Sequence, residues 1–189
     1  MAGRFTFHET ALAGVIEVRR HRLGDDRGYL ERMFCKDDLA QAGWLGEVAQ
    51  ANRTLTSTFG TLRGMHYQRA PFSEVKLVTC LAGQVYDVAV DLREGSKTFG
   101  QHTACLLDAT IGNALLIPEG FAHGFQTLTD NCEMFYFHSR PYAQKHESGI
   151  DAFDPILNIR WPLKQGQQSS RDRDLPPLDK ADLPGVPMI

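Results

Sequence analysis

The sequence predicts an antiparallel sandwich or barrel of short strands, such as a jelly roll, with a few short helices. From about residue 50 to residue 142, strand-like runs recur at roughly even spacing, each bounded by Gly, Pro, Asp or Asn. A single stretch before them reads as a helix. The 189 residues, 42% hydrophobic and 23% charged, suffice for one well-cored domain.

The elements follow in order. "KDDLAQAGW" predicts the helix, with Asp37 or Asp38 able to cap its start and Gly43 to end it. "KLVTCLAGQVYDVAVDLR" predicts two strands around a turn at Gly83, and "HTACLLD", "NALLIPEG", "FAHGFQTL" and "CEMFYFHS" predict four more. After Trp161-Pro162 the chain turns polar and proline-rich, as a loose tail or a segment lying over the domain. The expectation is one domain over residues 1–189, with 163–189 wrapped across it.

Charge and composition exclude several classes. A net charge of -3 supplies no basic field for a nucleic-acid backbone. The apolar run in "ETALAGVIEVRR" is short and broken by Glu17, unlike a signal peptide, and nothing approaches a membrane span. Cys35, Cys80, Cys105 and Cys132 form no CxxC pair, which predicts reduced thiols and a cytoplasmic protein.

Alternation along strands groups the polar residues. Cys132, Met134, Tyr136 and His138 share one face; so do Phe121, His123, Phe125 and Thr127, and so do Leu62, Gly64, His66 and Gln68. If those faces line one interior, His66, His123 and Tyr136 converge. His123 by itself reads as a structural residue of a half-buried strand. Strict alternation points Arg63 away from His66, whereas a bulge or bend at Gly64 would turn both inward. Lys76, at the head of its strand, has the same two options.

A metal site fits poorly. Metal-binding jelly rolls of the cupin class use an H-x-H pair, a glutamate and a later histidine. Here the pair position reads His66-Tyr67-Gln68, while "PEGFAH" does supply a later histidine, His123. Two histidines and a glutamine are a weak set for zinc or iron, so the expected site is metal-free.

"LRGMHYQ", "KLV", "VYDVAVDLR" with the following "GS" and "TFG", "IPEGFAHGFQTL", the tyrosine of "FYFHSRPY", "HESGI" and "IRWP" together resemble the dTDP-4-dehydrorhamnose 3,5-epimerase family. The resemblance runs from about Asp25 to Asp172. It implies a cupin-like double-stranded β-helix, usually a homodimer, that needs no metal or organic cofactor. It also implies epimerisation of a nucleotide-linked 4-keto-6-deoxyhexose at C3 and C5 through an enolate. Removing a proton beside a ketone calls for a base, a partner for the oxygen charge and an acid on the opposite ring face. By resemblance His66 is the base, and Asp172 of Ser169-Ser170-Arg171-Asp172 is the carboxylate that orients it. Tyr136 is the acid, and Lys76 is the cation near the C4 oxygen. Arg27, Gln50, Asn52, Arg63, His123 and Glu147 fall on substrate-contact positions, Tyr142 on the aromatic that stacks on the base, and Arg171 on a further binding position.

Two departures fall in substrate-contact stretches. Arg32 stands where the family has a glutamate, with Glu31 one residue early, and Ala51 replaces a carboxylate. They leave open an epimerase acting at one carbon or on another nucleotide sugar. A 3,4-ketoisomerase and a sugar-nucleotide binding module without turnover are more distant alternatives.

Overall fold

In the computed structural model, residues 3–164 and 166–188 are described; of the predicted C-terminal segment, residues 165 and 189 lie outside them. The chain begins with strands β1 (Phe5–Glu9), β2 (Ile16–Arg20), β3 (Leu23–Asp25) and β4 (Gly28–Leu30), then helix α1 (Lys36–Ala40). Next come β5 (Gln50–Thr56), β6 (Leu62–Gln68), β7 (Lys76–Ala82), β8 (Gln84–Asp91) and β9 (His102–Asp108). β10 (Asn113–Ile117), β11 (Phe121–Thr127), β12 (Cys132–His138), β13 (Glu147–Gly149) and helix α2 (Ser170–Arg173) complete the set.

The strands form a six-stranded sheet, ordered β1-β2-β10-β7-β12-β5, and a five-stranded sheet, ordered β13-β6-β11-β8-β9; β3 and β4 make a separate ribbon. Every ladder between strands is antiparallel. This is the mainly β, cupin-like jelly roll. The Gly83 turn does not close a hairpin: it carries the chain from β7 in one sheet to β8 in the other. Its φ of 79° and the collision of any added side chain with Thr129 and Cys132 require glycine there.

Apolar layers lie between the sheets and on both outer faces. Val78, Leu115 and Met134 from one sheet meet Val85, Ala89 and Phe125 from the other in the interior. Trp44 and Leu39 cover Leu77 and Leu116 outside the six-stranded sheet. Leu157 and Leu178 pack with Met65, Tyr67 and Val88 outside the five-stranded one. That double coverage explains why β10 and β11 are buried along their whole length. The C-terminal stretch is tied down by backbone bonds: Leu62 to Gln167, Ala70 to Pro184 and Glu94 to Val186.

Two local predictions need correction. Helix α1 is capped by neither Asp37 nor Asp38: Cys35 occupies the N-cap without a side-chain bond, and both aspartates lie in the first turn, where they favour the positive end of the helix. The helix also stops at Ala40, while Gly43 takes a left-handed φ of 103° beyond it. The stretch before residue 50, from which the sequence predicts one helix, also supplies four strands. They are short or charged, so their pairing, rather than a strong apolar period, fixes them. The four cysteines are free thiols. Among the described residues no helix is long and apolar enough to cross a membrane.

Candidate active site

Between the sheets the apolar interior gives way to an open cavity of about 230 Å³, lined by residues of β5, β6, β7, β11 and β12 and by Tyr142 and Glu147. His66 and His123 are register partners on one wall, in the five-stranded sheet. Lys76, Tyr136 and His138 stand on the other, in the six-stranded sheet, where Lys76 and His138 are register partners.

The Gly64 bulge decides what β6 presents. Between β6 and β11 the register shifts, so that His123 opposes His66 but Phe125 opposes Arg63. Gly64 has φ 110°, and a Cβ there would lie 2.7 Å from the Gly124 Cα. The close approach therefore needs glycine on both strands. Leu62, Met65 and Tyr67 pack together in the outer layer, while Arg63 and His66 both border the cavity. Strict alternation, which grouped Leu62 with His66, fails at this glycine, and the inward option for Arg63 holds.

His66 Nε2 meets Asp172 Oδ1 at 2.8 Å. The carboxylate arrives on α2, whose N-cap Ser169 accepts from the Asp172 amide at 3.0 Å, and its other oxygen accepts from the Gly64 amide at 3.4 Å. Burial alone would raise the Asp172 carboxyl, but the His66 bond and charge, with the Gly64 and Ser169 bonds, bring it below its ordinary range. With Nε2 engaged by Asp172, Nδ1 is the ring nitrogen of His66 left for a substrate.

Tyr136 faces this wall, its ring edge-on to His123 with centroids 6.2 Å apart. Burial pushes its phenol far above the usual range; the Asp87 charge adds to this, and a bond with Thr54 and the Arg63 charge only partly offset it. The phenol thus keeps its proton at neutral pH. His123 Nε2 contacts both oxygens of Asp87, at 2.5 and 2.9 Å, and the Asp87 side chain is fully buried.

At the mouth, Tyr142 donates its hydroxyl to Glu147 at 2.6 Å, and Arg171 pairs with the same carboxylate at 2.5 Å. Burial would raise the Glu147 carboxyl, but these two partners bring it below its ordinary range. The Tyr142 amide donates to Gln50 Oε1, and the neighbouring Ala143 amide to Gln68 Oε1. Gln68 thereby holds the loop in place. A second, polar cleft bordered by Arg63, His66, Arg171 and Asp172 adjoins the cavity.

Of the residues singled out from the sequence, His66, Lys76, Tyr136, Gln50, Asn52, Arg63, His123, Tyr142 and Glu147 line the cavity, with Asp172 and Arg171 bordering the adjoining cleft. Arg27 does not reach it: it sits on the exposed β3–β4 ribbon, paired with Asp25 at 2.5 Å. Arg32 pairs with Asp38 at 3.6 Å, and Glu31 with Arg20 and Arg22, so neither joins the cavity lining. Asp87, Glu74 and His138 were missed as site residues. Asp87 carried a signal, because a carboxylate inside the apolar run "VYDVAVD" must find a buried partner. Among the described residues no group of three or more His, Cys, Asp or Glu side chains is placed to hold a metal ion.

A cupin-like jelly roll with an imidazole–carboxylate pair on one wall of its cavity and a protonated phenol on the other defines a sugar-epimerase type of isomerase. The dTDP-4-dehydrorhamnose 3,5-epimerase family model matches residues 9–180, and the chain belongs to that family. It is 39% identical over 165 residues to the dTDP-4-dehydrorhamnose 3,5-epimerase of Shigella flexneri, covering 87% of this chain and 91% of the relative. It superposes with TM-score 0.92 and 34% identity on the Legionella pneumophila dTDP-6-deoxy-D-glucose-3,5-epimerase in complex with dTDP-4-keto-L-rhamnose, covering 97% of this chain and 100% of that one. A 3'-monoepimerase from Streptomyces bikiniensis in complex with dTDP-quinovose gives TM-score 0.84 at 33% identity, covering 91% and 87%.

Proposed function

We propose that this protein converts dTDP-4-dehydro-6-deoxy-D-glucose to dTDP-4-dehydro-L-rhamnose, inverting C3 and C5 without a cofactor. The observation that carries the reading is the placement of His66 and Tyr136 on opposing sheets around one cavity. His66, oriented by Asp172, removes the hydrogen beside the C4 ketone. The Lys76 ammonium, its side chain only 11% exposed, faces the enolate oxygen in a setting where a fixed charge acts more strongly than in water. Tyr136 returns a proton from the other side of the ring. Arg63, Asn52, Gln50 and His123 hold the sugar and diphosphate, and Tyr142 stacks on the base beside Glu147 and Arg171.

The reading extends to one domain over residues 1–189, acting in the cytoplasm as a homodimer. The β3–β4 ribbon exposes Leu23, Tyr29 and Leu30 by 51%, 62% and 58%. Two short strands are not stable alone in water, and a second copy would cover these side chains. Arg27 would then act in the partner's site rather than its own.

Incubating the enzyme with the 4-keto sugar in deuterated water tests the reaction. Deuterium at both C3 and C5 supports it. Deuterium at one carbon only points to a single-site epimerase, and none at either overturns both.

A further inference from the structure

Three residues outside the His66 half of the cavity form a unit of their own. Glu74 Oε2 accepts from His138 Nδ1 at 2.9 Å, and Glu74 Oε1 lies 3.4 Å from Lys76 Nζ. All three side chains line the cavity, with exposures of 7%, 12% and 11% for Glu74, His138 and Lys76. The unit is built rather than incidental. Lys76 and His138 are cross-strand partners of β7 and β12, so their side chains leave the same face as neighbours. Glu74 precedes the strand, and the residue between it and Lys76 is pinned on both sides: the Val75 amide donates to Ser139 Oγ at 2.8 Å and the Ser139 amide to the Val75 carbonyl at 3.0 Å.

A lysine on a flexible four-carbon stem is a poor device for placing charge unless something removes its freedom. Among the described residues Glu74 is the only anion within 4.0 Å of the ammonium. Burial would raise the Glu74 carboxyl, but Lys76 and His138 bring it below its ordinary range. The ammonium thus lies against a fixed carboxylate as an ion pair, with donors left for a ligand oxygen. The imidazole holds that carboxylate from the other side through Nδ1, while its Nε2 is buried without a protein partner among the described residues.

We propose that Glu74 and His138 are positioning residues that clamp Lys76 so that its ammonium faces the oxygen on which charge develops. The inference rests on the role given to Lys76 above.

A double-mutant cycle on the full chain tests it, with turnover and C3/C5 deuterium exchange followed in wild type, Glu74→Gln, Lys76→Gln and the double variant. Glu74→Gln keeps the size and an oxygen for His138 but loses the charge. It is expected to lower kcat about tenfold or more while KM moves less than about threefold. In the Lys76→Gln background the same change should cost almost nothing, because the group it acts through is gone. His138→Gln, which can still donate to Glu74, should retain more activity than His138→Leu. Thermal unfolding and thymidine diphosphate binding, unchanged in the variants, separate positioning from folding. Equal losses in both backgrounds, a loss carried by KM, or wild-type turnover in Glu74→Gln would overturn the clamp alone. A wild type that exchanges neither hydrogen overturns the functional reading and this inference with it.

Discussion

His66 and His123 oppose each other on neighbouring strands, and each gives Nε2 to an aspartate, yet the two pairs are built differently. Asp87 comes from β8, the strand next to β11, so sheet register alone makes the pair with His123. Asp172 lies 106 positions from His66 and is delivered by α2 of the C-terminal stretch. The His123 side chain is 7% exposed and that of His66 30%. The same two residue types thus give a sealed wall in one case and an accessible, oriented imidazole in the other. Access, more than composition, separates a candidate base from a buried pair that only lines the cavity wall.

The largest expected effect breaks that comparison directly. His66→Asn should lower turnover by a factor on the order of 10² or more with the fold intact, and His123→Asn by about tenfold, with more of its cost in stability. Similar activity losses in the two would remove the distinction. Tyr136→Phe tests the opposite wall: turnover should fall by a factor on the order of 10², while deuterium still enters the substrate from the His66 side.

Stability sharpens the contrast at the level of the aspartates. Asp87→Ala leaves a buried imidazole N–H unmet and should cost about 1–3 kcal/mol, read by denaturant unfolding. Asp172 has a depressed carboxyl in the folded protein, so its contribution is present above the unfolded carboxylate value and lost as pH falls through the lower folded value. The Tm gap between wild type and Asp172→Asn should therefore narrow below about pH 4; a constant gap would contradict the pairing. The smallest effect belongs to the mouth. Tyr142, 53% exposed, should on change to Ala weaken thymidine diphosphate binding by about tenfold in titration calorimetry, with kcat nearly unchanged.

Much of this site could be read from period-two alternation, because inward and outward faces are a local property of a strand. Tyr136, His138, His123 and Phe125 all follow it. It failed at Gly64, where a bulge depends on how closely β6 and β11 approach, and that distance is set by packing between distant segments. Glu74 gave no signal at all, since it precedes its strand and gains meaning only from His138 and Ser139.

The sequence by itself therefore determined the strand-rich class, the breaks between strands and the side chains that share a face. These follow from backbone propensity and turn chemistry within a few residues. Only the tertiary structure decided that β7 and β8 part into different sheets, that Arg63 turns inward, and that Glu74 reaches Lys76; the pairing of Asp172 with His66 was offered by the family resemblance alone and not by any strand pattern. Those outcomes depend on contacts between residues far apart in the chain, which no local pattern encodes.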